Sequence, residues 1–281
     1  MLIDTHCHLN FEAFATDWQG VVEEAKKAGV RKMIVVGTDI KTCQKAIEIA
    51  RETEELYATI GFHPHHVKPL VGLAYARVQI CQITDQLKKL GKNKKVIAIG
   101  ECGLDYHIYK QTKYPTSPEA SLGADISQEE KTLQKQLFGM QIQLAKELKL
   151  PLIIHNREAG EDTLDTLNHF CKNDGKYPQG VLHCISGSKK LLKKILELGF
   201  FIGVDGNITY NQEVQALAKE APLERILLET DSPYLSPKHD NGRNAPKNIA
   251  IIAQWLAKTK GTSINQIEAQ TTKNAEKLFK L

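Results

Sequence analysis

Eight short apolar runs, each followed by a helical stretch, predict an α/β chain folded as a (β/α)8 TIM barrel. The runs are continuous rather than alternating, as strands buried on both faces of a parallel sheet are. No Pro/Ser-rich linker or shift in composition divides the 281 residues, so one unit spanning 1–281 is expected. An open doubly wound sheet is the alternative. Its dinucleotide-binding form has little support, because no Gly-rich GxGxxG follows the first strand.

The first strand is read at 2–4. A helix at 18–28 places Val21, Val22, Ala25 and Ala28 on one side, and Gly29 stops it. A β-branched run at 33–37 and a helix at 40–51 follow. The third strand, 56–61, leads into Phe62-His63-Pro64-His65-His66. A helix at 75–90 precedes the fourth strand, 96–100, which runs into Glu101. An irregular insertion covers about 107–127 and is too long for an ordinary connection. Ser127 then reads as an N-cap with Glu130 as its capping-box partner, opening a helix that Pro151 ends. The remaining strands are read at 152–154, 180–182, 200–204 and 225–228. The remaining helices are read at 158–170, 188–198, 211–219, 247–259 and 264–279.

The formal net charge of +4 permits a polyanionic partner without arguing for one. The six cysteines form no CxxC pair, and Cys7, Cys102 and Cys184 each adjoin a candidate ligand, which points to a reducing cytoplasm. No N-terminal signal is visible, and no apolar run approaches the roughly 18 residues of a membrane span.

In a barrel of this kind, residues at the carboxyl ends of strands face the active site. Those positions hold His6 and His8, His63 and His65, Glu101, His155, His183 and Asp231. In an extended segment His6 and His8 project to one side, with Asp4. A lone His155 would read as a core histidine. With His183 on the next strand, and Glu101 and Asp231 completing the ring, it reads as a ligand. One divalent cation could take His6, His8 and Asp231, and a second His155 and His183, with Glu101 bridging both through its two oxygens. Such ligands suit Zn, Mn or Co, and a carboxylate bridge also suits Mg. Asp231 could ligate a metal and accept the proton of an attacking water.

Six segments together resemble a known family. They are Asp4-Thr5-His6-Cys7-His8-Leu9, Gly61-Phe62-His63-Pro64-His65, Gly100-Glu101-Cys102-Gly103-Leu104-Asp105-Tyr106, Pro151-Leu152-Ile153-Ile154-His155-Asn156-Arg157, His183-Cys184-Ile185-Ser186-Gly187 and Glu229-Thr230-Asp231-Ser232-Pro233-Tyr234-Leu235. In this order they are similar to the TatD family of metal-dependent deoxyribonucleases, within the amidohydrolase-like barrels. The resemblance implies a (β/α)8 barrel, a divalent-metal centre and hydrolysis of phosphodiesters, often as a 3′→5′ exonuclease on single-stranded DNA ends, with RNA as a further substrate. It maps metal ligation onto His6, His8, Glu101, His155, His183 and Asp231, and makes His65 a substrate-side histidine on a phosphate.

Arg157 and Arg243 are candidate phosphate contacts, and equally candidate salt-bridge partners at the rim. Two departures from the family stand out. The stretch after Tyr106 is long and carries Tyr109, Lys110, Lys113 and Tyr114, which could stack on bases and touch phosphates. Ala245 replaces an acidic residue in Arg243-Asn244-Ala245-Pro246, so that loop must be held otherwise. The alternative function is hydrolysis of another ester or amide: a small phosphoester, a lactone or an aminoacyl-tRNA ester. A non-catalytic binding protein is a third reading, disfavoured by the complete ligand set.

Overall fold

The computed structural model describes residues 1–108, 125–171, 175–238 and 242–281. Eight parallel strands form one sheet in sequence order: β1 (Leu2–Cys7), β2 (Val30–Val35), β3 (Leu56–Ile60), β4 (Val96–Asp105), β5 (Leu152–Arg157), β6 (Gly180–Leu182), β7 (Phe201–Val204) and β8 (Ile226–Leu228). The helices α1 (Trp18–Lys27), α2 (Ile40–Glu52), α3 (Ala76–Leu90), α4 (Gln128–Leu148), α5 (Gly160–Cys171), α6 (Lys189–Glu197), α7 (Gln212–Glu220), α8 (Ile249–Lys260) and α9 (Ile264–Phe279) alternate with them. The expected barrel is therefore observed. Most of the insertion read at 107–127, including Tyr109, Lys110, Lys113 and Tyr114, lies outside the described residues.

The first and last strands meet just past the end of β8. Cys7 pairs with Ser232, His8 N donates to the Ser232 carbonyl at 2.8 Å, and Asp231 N donates to the His6 carbonyl at 2.8 Å. Below this seam the buried Asp4 carboxylate accepts from Thr230 Oγ1 (2.6 Å), Thr230 N (3.0 Å) and His6 N (3.2 Å). It joins β1 to a residue 226 positions away, next to two candidate ligands. Burial is the main reason its carboxyl is pushed up to about 7.

Local signals explain most helix starts. Asp39 caps α2 in a reciprocal box with Thr42, and Ser188 caps α6 through Leu191 N. Ser127 accepts from Glu130 N at 3.0 Å, as expected of the N-cap of α4. Two buried glutamines seven residues apart on α4 do less usual work. Gln134 exchanges two hydrogen bonds with the Asp105 backbone (2.9 and 3.0 Å), and Gln141 two with Phe62 (2.8 and 3.0 Å). One helix face thereby fixes the carboxyl ends of both β3 and β4.

The six cysteines are free thiols, and no helix among the described residues is long and apolar enough to cross a membrane. Where β4 passes β5, Gly103 has φ +137°, and a Cβ there would run into the His155 carbonyl. Only glycine avoids both problems. Gly103→Ala is expected to cost about 2 kcal/mol or more in unfolding free energy. Denaturant unfolding within about 0.5 kcal/mol of wild type would contradict that close approach.

Candidate active site

All six residues read as metal ligands converge at the carboxyl ends of the strands, and all are buried or partly buried. His6 Nε2 lies 3.2 Å from His8 Nε2 and 3.5 Å from Asp231 Oδ1, and His8 Nε2 lies 3.2 Å from the same oxygen. Glu101 Oε2 is 3.6 Å from His6 Nε2 and 3.8 Å from His8 Nε2. Atoms bound to one cation at about 2.1 Å lie about 3.0–3.4 Å from their neighbours in octahedral or tetrahedral arrangements.

The other Glu101 oxygen belongs to a second cluster. Oε1 is 2.8 Å from His183 Nε2 and 2.9 Å from His155 Nδ1, and these two nitrogens are 3.1 Å apart. His63 Nε2 is 3.5 Å from Oε1. Each half of Glu101 thus faces its own set of nitrogen donors.

The donor set fits divalent cations. His8 donates from Nδ1 to the Val36 carbonyl at 3.0 Å, which turns Nε2 toward Asp231 and Glu101. Burial, followed by the nearby His183, pushes His6 down to about 4, so its ring is neutral near pH 7, the form that ligates. Its buried Nδ1 has no hydrogen-bond partner among the described residues. For Glu101, burial opposes ionisation. His183 and His63, with hydrogen bonds from His155 and His183, outweigh it and hold the carboxyl well below its usual range. Burial opposes ionisation of Asp231 too, and the His8 contact, with the neighbouring His6 and His183 rings, holds it low.

Asp231 sits in the left-handed region at φ +54°, as Cys184 does at φ +48°. Such backbone is costly for residues other than glycine and gathers at functional sites. Here it follows from the turn that brings Asp231 N onto the His6 carbonyl.

Asp105 appeared in the sequence reading only as part of a motif, yet it organises one side of the site. Its Oδ2 lies 2.9 Å from His155 Nε2 and 2.8 Å from His65 Nε2. Burial opposes its ionisation, but the two histidines hold the carboxyl far below the ordinary range. Burial likewise lowers His155, but hydrogen bonds to Asp105 and Glu101 carry it up to about 10. Glu229 stands beside His183: it accepts from Cys184 N at 2.5 Å and lies 3.7 Å from His183 Nδ1. A Cβ at Gly203 would overlap the Glu229 carboxyl.

The cleft above these groups encloses about 350 Å³ and reaches Phe11, His65, Arg157 and Tyr234. Arg243 is not among its lining residues. It pairs with Asp17 through two contacts of 3.0 and 2.6 Å, donates to the Ala13 carbonyl and lies 4.3 Å over the Phe14 ring. Of its two expected roles, the structure displays the salt bridge. The loop lacking the acidic residue is held by Asn244, which donates to the Thr230 and Tyr234 carbonyls at 2.9 and 2.6 Å and accepts from Asn248 Nδ2 at 2.9 Å.

A family model described as TatD related DNase matches residues 3–280. An uncharacterized metal-dependent hydrolase of Bacillus subtilis, YabD, is 36% identical, with 100% of both chains covered. A protein of Erwinia tasmaniensis named 3′-5′ ssDNA/RNA exonuclease TatD is 32% identical over the same full coverage. The crystal structure of YjjV, a TatD homolog from Escherichia coli, superposes with a TM-score of 0.80 at 27% identity, covering 100% of this chain and 98% of that one. With the match running nearly end to end and the six motifs gathered at one end of the barrel, this chain belongs to the TatD family of metal-dependent hydrolases.

Proposed function

We propose that the protein hydrolyses phosphodiester bonds at single-stranded DNA ends, in the 3′→5′ direction, with two divalent cations at its centre. The observation that carries this reading is the division of Glu101: Oε2 faces His6, His8 and Asp231, and Oε1 faces His155 and His183. One carboxylate shared by two donor sets suits a pair of cations clamping both oxygens of a displacement. The name of the Erwinia relative agrees with an oligonucleotide substrate.

His6, His8 and Asp231 would hold one cation, His155 and His183 the other, and Glu101 both. Bound there, such ions lower the pKa of water and draw charge from a phosphoryl oxygen. The chain's own residues do the rest. Asp231 accepts the proton of the attacking water, since its ionised carboxylate opens on the cleft and its backbone turn aims it there. Arg157, at the cleft rim, takes the phosphate. His65 lines the cleft, but its Nε2 engages Asp105, so its part is to fix the Asp105–His155 pair while its ring edge borders the substrate. Phe11, whose ring stacks on His8 with centroids 4.3 Å apart, and Tyr234 form the wall that a terminal base would meet.

Digestion of 3′-labelled and 5′-labelled single-stranded oligonucleotides with Mg²⁺, Mn²⁺ or EDTA tests the reading. Metal-dependent shortening from the 3′ end is expected, and Glu101→Ala should lose about a thousandfold or more, roughly 4 kcal/mol. A metal-loaded protein that leaves every oligonucleotide intact but turns over chromogenic esters would replace this substrate class with the ester one.

Binding also carries a proton signature. His155 keeps its proton until about pH 10, so ligating through Nδ1 at pH 7 requires its release. Cation titration in buffers of different ionisation enthalpy should therefore report about one proton released from the His155 side. Asp105→Asn removes the carboxylate that faces Nε2 and helps keep the His155 ring protonated. It should shrink the release and weaken that cation's binding by about 10–100-fold. A variant matching wild type in both would remove Asp105 from the supporting role.

A further inference from the structure

The cleft is too small for a polymer. Its 350 Å³ lies at the low end of small-ligand pockets, room for the reacting end of a strand and little else. A second cavity of about 500 Å³ adjoins it, and Asn156, Arg157 and Ser186 line both. This outer cavity is a trough bounded by the start of α5 and by α6.

The lysines of α6 divide by direction. Lys189 pairs with Glu220 at 2.8 Å and Lys193 with Glu197 at 3.9 Å. Lys190 and Lys194 instead line the trough, one turn apart on one face of the helix. Both are exposed, and neither has an ion-pair partner among the described residues. Three carboxylates also border the trough. Glu158 is engaged by His107 at 2.5 Å, whereas Glu161 at the start of α5 and Glu213 on α7 would repel a polyanion from their sides, toward α6. The trough's cationic groups are thus Arg157, at the junction of the two cavities, and Lys190 and Lys194 on α6.

We infer that this trough is the path of the strand behind its reacting end, with Lys190 and Lys194 on the phosphates that follow the one at Arg157. The inference rests on the nucleic-acid reading above and adds where the rest of the polymer lies. It makes the protein prefer strands longer than the cleft alone can hold. Both lysines are exposed, so replacing them leaves the core untouched.

The test compares wild type, the Lys190→Ala/Lys194→Ala variant and the Lys190→Arg/Lys194→Arg variant. The substrates are a thymidine dinucleotide and a thymidine dodecamer, with Mn²⁺ over a range of KCl. Wild type should favour the dodecamer in kcat/KM. The alanine variant should lose about tenfold of that preference through KM, and the arginine variant should keep it. The dependence of log(kcat/KM) on log[KCl] for the dodecamer should become shallower by about 1.4, two phosphates at roughly 0.7 each for a single strand. An alanine variant with unchanged preference and slope overturns the trough, as does a wild type indifferent to length. A wild type that cleaves neither substrate removes the nucleic-acid reading itself and the trough with it.

Discussion

Everything at the carboxyl end of this barrel depends on a single buried carboxylate. Glu101 is 4% exposed, and its two oxygens point at different groups of histidines. An ionised carboxylate in such a place is expensive unless positive charge or hydrogen-bond donors surround it. The histidines meet part of that requirement and divalent cations would meet the rest. The strands' order follows from the same need. Candidate ligands from β1, β4 and β5 and from the turns after β6 and β8 can gather on one carboxylate only if the sheet curls until β1 meets the segment beyond β8. Closure of the barrel and assembly of the site are one event.

Backbone, more than side chains, makes that convergence possible. Gly100 at φ +152° and Gly103 at φ +137° bracket Glu101, and a Cβ at either would meet the backbone of β5. A Cβ at Gly61 would meet the Gly100–Glu101 backbone. Neighbouring chains therefore approach Glu101 from two sides at distances only glycine allows. The supporting polar groups act on backbone too: Gln134 and Gln141 hold the amides of Asp105 and Phe62, and Asp4 holds Thr230 N and His6 N. A buried amide satisfied in this way has one low-energy position, which fixes the side chains next to it.

The sequence made the architecture legible because its signals are local: apolar runs, caps, and glycine or proline stops. Strand ends were read short at β1, β4 and β5, which continue to Cys7, Asp105 and Arg157. There the apolar pattern stops while pairing with the neighbour goes on, as at Asp105 and Arg157. Polar residues on a paired strand end look like loop to a hydrophobicity argument, and in a barrel they are the site. The candidate ligands were legible for that reason, each being a polar residue at or just beyond the end of an apolar run. Their supports were not. Asp105 and Glu229 gain meaning only from histidines on other strands, and Arg243 finds Asp17 226 residues earlier. Gln134 and Gln141 did leave a trace, two amides spaced seven apart among apolar positions, which marks a helix face that buries hydrogen bonds.

Charge in this region is sorted by depth and by partner. Glu101, Asp105 and Asp231 face histidines and are held ionised. For Asp4 and Asp205, burial foremost pushes the carboxyls up to about 7 and about 6. Burial likewise drives Glu229 well above the carboxylate range. Were all six ionised together, their mutual repulsion at these separations would strain the closure between β1 and the turn after β8. Carboxyls of the second group instead keep a proton more readily and act through hydrogen bonds, as Asp4 does on Thr230 and Glu229 on Cys184 N. The arrangement holds negative charge most firmly on the three carboxylates that histidines surround. Two of these, Glu101 and Asp231, border the cleft itself, and the third holds His155 and His65 in place behind it. That distribution suits a cation-dependent hydrolase: anionic where cations and water would meet, less readily ionised in the layer beneath, with further positive charge at Arg157 on the cleft rim and along α6.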